Sequence, residues 1–254
     1  MTGRLFVIGL GPGNPEQLTP EARAAIEGAS DFFGYKPYLD RLTLQSHQER
    51  HASDNREELT RAGAALEMAA AGKTVAVVSG GDPGVFAMAA AVCEAVEKGP
   101  SEWRAIELTV VPGITAMLAV AARVGAPLGH DFCVLSLSDN LKSWELIEKR
   151  LELGARAGFV IALYNPISRA RPWQLGRAFE QLGKHLPAGT PVVFGRAAGR
   201  PDERIRLTTL GEADPANADM ATCVIVGSRE TRVIERNGRK PLVYTPRSAG
   251  DARQ

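Results

Sequence analysis

Three glycine-rich segments carry the residues best suited to chemistry: Gly9-Leu10-Gly11-Pro12-Gly13, Gly80-Gly81-Asp82-Pro83-Gly84 and Pro112-Gly113-Ile114-Thr115-Ala116. Glycine lets a ligand approach the backbone closely, and free N–H groups at a helix start suit an anion such as a carboxylate. Asp82 either offers a carboxylate to a ligand or caps the helix that follows, and Pro83 locks the turn. The first segment reads GxGxG with Asn14 after it, not the GxGxxG of dinucleotide binding, and the nearest acid, Asp31, precedes the second strand instead of ending it. Taken alone, it reads equally well as a strand-to-helix turn. His47 and His51 are spaced i,i+4 but lack a third ligand, so no metal is expected. His130 is either catalytic or a loop cap. Asp139 and Glu145 do not suggest a carboxylate dyad. There is no GxSxG, so the usual hydrolase nucleophiles are missing. Arginines in Tyr164–Trp173 and Gly195–Pro201 suit bidentate pairing with carboxylates.

These loops need a scaffold, and the pattern supplies one. Leu5–Ile8, Phe32-Phe33, Thr74–Val78 and Ile106–Val111 read as strands. Helices alternate with them: Thr19 (cap) and Pro20 to about Ala29, Asp54-Asn55 to Ala71 with Leu59, Ala62, Leu66 and Ala69 on its apolar face, one through Glu97, and one to about Val124. Gly125-Ala126-Pro127-Leu128-Gly129 looks like a boundary. Beyond it lie strands near 132–137, 159–164, 191–195, 205–208 and 222–226, with helices at 143–153 and 173–185. Asn237-Gly238 signals a hairpin, and Pro241 an edge strand. The expectation is an α/β fold of two α/β domains, 1–124 and 125–245, with a tail at 246–254. Glycine loops at the C-terminal ends of strands mark the ligand-binding edge of such sheets.

Composition fits a globular chain of 254 residues, 44% hydrophobic and 23% charged, which argues against disorder. Thirty Lys+Arg against 29 Asp+Glu leave a net charge of +1, which weighs against a broad nucleic-acid surface. No apolar stretch approaches a membrane span, and Leu5–Leu10 is too short for a secretion signal, so no membrane partner and a cytoplasmic location are expected. Cys93, Cys133 and Cys223 read as small buried hydrophobes rather than disulfide partners.

Taken together with Tyr164-Asn165-Pro166, the three loops resemble the tetrapyrrole methylase family over about residues 4–245. The resemblance implies two α/β domains enclosing a cleft in which S-adenosylmethionine lies folded. It implies that Pro12 lines the cleft, that Gly80, Gly81, Asp82, Val85, Thr115 and Ala116 contact the cofactor, and that Tyr164, Asn165, Ala198, Ala221 and Thr222 form its adenine-side wall. Further segments, among them Gly34–Leu39, Ala52–Glu57, Gly129–Cys133, Ser136–Asp139, Ser168–Trp173 and Gly195–Arg200, resemble members that methylate precorrin-3B at C17 and contract the ring in cobalamin biosynthesis. Lys142-Ser143 and Asn140 depart from that pattern, which has Thr-Pro and Leu there. The resemblance also implies substrate carboxylates on Tyr35, Lys36, Arg56, Arg169, Arg171 and Arg196, acid–base help from Asp82, His51, His130 or Lys36, and a homodimer. A sulfonium is already a strong methyl donor, so this chemistry asks mainly for proximity and orientation. The alternatives are the cobalt-containing analogue or another corrinoid carbon as substrate, and a non-catalytic tetrapyrrole carrier.

Overall fold

A computed structural model describes residues 3–54, 57–168 and 170–248. It divides into two compact units, 1–115 and 116–254.

In the first unit five strands, β1 (Arg4–Gly9), β2 (Asp31–Tyr35), β3 (Glu49–Ser53), β4 (Thr74–Ser79) and β5 (Glu107–Val111), form one parallel sheet in the order β3-β2-β4-β1-β5. Strands covered on both faces run as continuous apolar stretches, and β4 is an example: Val75 and Val77 point to one face, Ala76 and Val78 to the other. The first face is covered by α3 (Glu58–Ala70) through Ala62, Ala65, Leu66 and Ala69, and by α4 (Met88–Lys98) through Met88 and Val92. The second is covered by α1 (Pro20–Gly28) through Ala22 and Ala25, and by the short α2 (Lys36–Leu39) through Leu39. Thr19 caps α1 by accepting from the Ala22 N–H at 3.1 Å. Leu59, expected on the apolar face of α3, is 55% exposed, and Cys93, expected to be buried, lies on the exposed side of α4. Helix α3 starts at Glu58, later than the Asp54-Asn55 expected, and Asn55 is outside the described residues.

At the N-terminal end of β2 the Asp31 carboxylate is buried, accepting from Ser30 Oγ at 2.7 Å, His51 Nε2 at 3.0 Å and Lys73 Nζ at 3.0 Å. Burial pushes its pKa up, but the bonds from Ser30, His51 and Lys73 outweigh that and hold it below the ordinary 3.8. A depressed carboxylate stabilises the fold above its unfolded value and loses that contribution as pH falls through the native value. Asp31→Asn is therefore expected to cost about 2 kcal/mol at pH 7, by analogy with bonds to charged groups, in urea unfolding. The gap to the parent should begin to narrow as pH falls below the ordinary 3.8 and close once the native carboxyl is itself protonated, when both chains carry a neutral side chain.

The second unit begins with α5 (Ala116–Val124), then the two-residue β6 (Gly125–Ala126). Strands β7 (Phe132–Ser136), β8 (Val160–Tyr164), β9 (Pro191–Arg196), β10 (Arg204–Thr209) and β11 (Thr222–Val226) form a sheet ordered β10-β9-β11-β8-β7, parallel only between β7 and β8. Helices α6 (Trp144–Arg156) and α7 (Gln174–Gly183) cover one face through Ile147, Leu151, Leu175, Phe179 and Leu182. Helix α5 belongs here, not before the Gly125–Gly129 boundary expected from sequence, because it packs on β9 and β11. A Cβ on Gly195 of β9 would come within 2.1 Å of Val120 Cγ2.

The hairpin of β12 (Arg232–Arg236) and β13 (Arg239–Tyr244) turns at Asn237-Gly238 as expected, with Gly238 at φ +67°. Strand β13 is not an edge: it lies between β12 and β6. Pro241 is tolerated because β6 pairs only with Val243 and Tyr244, while the β12 ladder is irregular between Ile234 and Arg236.

Candidate active site

Parallel strands bring their C-terminal ends to one edge, and in the first unit all three glycine loops leave the sheet there. The order β4-β1-β5 makes the loops neighbours. Gly11 and Gly81 exchange backbone bonds, N–H to O at 3.1 and 2.9 Å, with both residues at positive φ (+64° and +71°). A Cβ on Gly9 would lie 2.7 Å from Gly113 N and from Gly81 O. The glycines are thus needed for loop-on-loop packing as well as for any ligand.

Asp82 joins the second loop to the third. Its Oδ1 accepts from Gly84 N at 2.8 Å and its Oδ2 from Gly113 N at 3.0 Å. It is not the cap of the next helix, which starts six residues later at Met88. Pro12 is buried beside this network and Val85 half-buried. Thr115, buried, and Ala116 stand at the start of α5. Gly80 rests against Tyr38, since a Cβ there would meet the ring at 2.7 Å, and Tyr38 stacks edge-on with Tyr35. Lys36 is at the same edge, exposed, with Nζ on Asp40 Oδ2 at 2.8 Å.

Arg41 joins the site without any motif to mark it. Its Nη2 donates to the carbonyls of Leu10 (2.8 Å) and Gly11 (3.0 Å), pinning the first loop from beneath. An arginine in a polar stretch carries no signal of a carbonyl partner thirty residues earlier. Arg41→Met is expected to speed amide exchange in Gly11–Asn14 about tenfold, the equivalent of roughly 1.4 kcal/mol, in hydrogen-exchange mass spectrometry.

In the second unit Tyr164 and Asn165 follow β8. Residues Ala198, Ala221 and Thr222 reach the same edge because β11 runs antiparallel to β8 and β9, so its start aligns with their ends. Tyr164 Oη accepts from Met117 N at 2.9 Å, occupying a free N–H of the first turn of α5. Asn165 Nδ2 donates to buried Ser136 Oγ at 2.9 Å. Asn165 and Ala197 both hold φ of +50°, a strained conformation costing about 1 kcal/mol for a residue with a Cβ. Ala197 is fixed in it by an N–H bond to Ala221 O at 2.9 Å.

Arg196 has a different task from the one expected. Its Nε lies 2.7 Å from Asp219 Oδ2 and its Nη1 2.6 Å from Asp202 Oδ2, so it staples the loops after β9 and before β11. Burial pushes the Asp219 carboxyl up, but Arg196, Thr222 and the Ala221 N–H together hold it below the ordinary range. Arg171 pairs with Asp139. Arg56 and Arg169 lie outside the described residues.

Two acid–base candidates lie away from the loop-bearing edge of their own sheets. His51 turns toward Asp31, at the N-terminal end of β2, with its ring stacked on Phe33. His130 precedes β7, at the end of the sheet opposite Tyr164, and its Nδ1 accepts from Asp131 N, a loop cap. His47 and His51 do not share a helical face, because His51 belongs to β3. The ligand atoms that do converge among the described residues are those of Asp31, Glu49 and His51, and Lys73 already neutralises Asp31. Burial pushes the Cys223 thiol up to about 12, which suits packing and not nucleophilic attack.

Residues 4–214 match the sequence model of the family Tetrapyrrole (Corrin/Porphyrin) Methylases. The chain belongs to the tetrapyrrole methylase family. Among its relatives, precorrin-3B C(17)-methyltransferase of Sinorhizobium sp is 68% identical over 254 residues, the full length of both chains. A probable cobalt-factor III C(17)-methyltransferase of Salmonella typhimurium is 42% identical, over 96% of this chain and 98% of that one. The crystal structure of the methyltransferase CobJ superposes with a TM-score of 0.92 at 49% identity, covering 96% of this tetrapyrrole methylase and 100% of that chain. No described helix is long and apolar enough to cross a membrane.

Proposed function

We propose that this chain is an S-adenosylmethionine-dependent C-methyltransferase that methylates precorrin-3B at C17 and couples the step to ring contraction in cobalamin biosynthesis. The 68% identity to a relative of that name over the full length of both chains carries the reading. The close approach of Gly9, Gly81 and Gly113 fixes the three loops against one another, so the edge offered to the cofactor is held in place before anything binds. When bound, the cofactor supplies an electrophilic methyl group. Pro12, Gly80, Gly81, Asp82, Val85, Thr115 and Ala116 are assigned to holding it, as are Tyr164, Asn165, Ala198, Ala221 and Thr222. The protein's task is to bring that methyl in line with a nucleophilic ring carbon and to keep water away.

Ring contraction also requires a proton to leave a ring hydroxyl. Asp82 uses both oxygens on backbone N–H groups, and His51 and His130 lie away from the loop edges, which leaves Lys36; paired with Asp40 as an ammonium, it is assigned to donating a hydrogen bond to the ring oxygen that gains charge as the proton leaves to solvent. Tyr35 and Arg171 are assigned to substrate carboxylates. A cytoplasmic homodimer completes the reading, on family analogy, and light scattering of the purified chain tests the dimer.

The test is incubation with S-adenosylmethionine and enzymatically made precorrin-3B, followed by product mass and absorbance. A gain of one methyl with the spectrum of a contracted macrocycle is expected. Methyl gain without contraction removes the second half of the reading. The 42% identity to a relative named for cobalt-factor III makes the cobalt-containing substrate the second reading, and methyl gain on that substrate alone would select it.

A further inference from the structure

We propose that the Trp144–Trp173 indoles and the Lys142 ammonium form a subsite for the carboxylate-bearing rim of the conjugated macrocycle. The inference rests on the proposed function and adds to it a place on this chain where the substrate's periphery is gripped.

Both tryptophans lie in segments that follow strand ends, Trp144 beyond β7 and Trp173 beyond β8, on the edge that carries Tyr164 and Asn165. Their rings meet edge to face, with centroids 4.8 Å apart. A purely structural tryptophan buries its surface, yet Trp173 is 43% exposed, and Leu141, three residues before Trp144, is 94% exposed. The indole Nε1 of Trp144 is buried with no hydrogen-bond partner among the described residues. Trp144 packs behind Trp173 against the core of the unit, so Trp173 presents a backed, open aromatic face, and flat conjugated rings stack on such surfaces.

The charges beside it are not balanced. Arg171 and Asp139 form an ion pair, and Gln174 Nε2 donates to the same Asp139 oxygen at 3.1 Å. Lys142 Nζ donates to the Ser138 carbonyl at 2.8 Å and has no ion-pair partner among the described residues. Lys142 is half-buried, so a carboxylate reaching it would be held more strongly than at an open surface.

The experiment measures steady-state methylation of precorrin-3B by Trp173→Ala, Trp173→Phe and Lys142→Gln, alongside binding of uroporphyrin III, a stable carboxylated macrocycle, followed by its absorbance. KM for precorrin-3B is expected to rise about tenfold in Trp173→Ala and Lys142→Gln, with KM for S-adenosylmethionine unchanged and with partial rescue in Trp173→Phe. Uroporphyrin III should bind these two variants correspondingly more weakly. Should Trp173→Ala fail to fold, Lys142→Gln, which removes only a partly exposed charge, carries the test. If the parent methylates precorrin-3B and both tetrapyrrole measurements stay within twofold in the variants, the subsite is wrong and the function stands. If the parent methylates neither the metal-free nor the cobalt substrate, yet uroporphyrin III binding weakens in the variants, the function is wrong and the subsite stands.

Discussion

Gly113→Ala is expected to lower affinity for S-adenosylmethionine by a factor of about 100 or more in calorimetric titration, the scale of a misplaced binding group. The methyl group added would sit 2.3 Å from the Gly81 carbonyl oxygen and 2.9 Å from the C and O atoms of Gly9. All three obstacles are backbone, so no side chain can swing aside. The loops must separate, and the Asp82 bond to the Gly113 N–H separates with them. Overpacking of this kind also costs about 2 kcal/mol of stability. Gly28→Ala is the matched control. It sits at the end of α1 with nothing within 4 Å of the added methyl, so the same chemical change should leave binding alone and stabilise the helix by up to about 0.5 kcal/mol.

Asp82→Asn should weaken cofactor binding about tenfold, with a smaller loss of stability. The carboxylate satisfies two N–H donors, one on each oxygen. An amide has only one oxygen. Whichever way it turns, its NH2 faces either the Gly84 or the Gly113 N–H, and that donor is left without its acceptor at a cost of about 1–3 kcal/mol. If Asp82 instead acted as a proton acceptor in catalysis, the variant would lose turnover while keeping cofactor affinity. Separate titration and rate measurements distinguish the two outcomes.

Much of the scaffold was legible in the sequence, for identifiable reasons. Strand β4 announces itself because a strand buried on both faces has no polar positions, and α1 because Thr19 and Pro20 mark its start. Strand β3 went unseen because Glu49-Arg50-His51-Ala52-Ser53 is an edge strand with both faces largely open, so neither an apolar run nor an alternation exists to find. Helix α2 is a single turn, too short for any periodicity. At the candidate site, the glycine loops were visible because glycine is rare where it is not needed. The partners of charged residues were not visible. Nothing local says that Arg196 is held by Asp202 and Asp219, that Arg41 grips Leu10 and Gly11, or that His130 caps its own loop. Such pairings are set by how strands are ordered in the sheet, and a linear pattern does not record that order.

Sheet order has one more effect, on how the chain is made. Strand β1 is central, yet neither of its neighbours is close in sequence: Arg4 pairs opposite Thr74 on one side and Glu107 on the other. The strand made next, β2, is not adjacent to it. During synthesis at about 5–20 residues per second, Leu5–Ile8 leaves the ribosome several seconds before β4 exists to receive it, and later still closes against β5. For that interval the apolar run of β1 is bare, and its glycine loop has no second or third loop to lean on. The edge formed by the three glycine loops is therefore assembled late, only once Gly113 has been added to the growing chain.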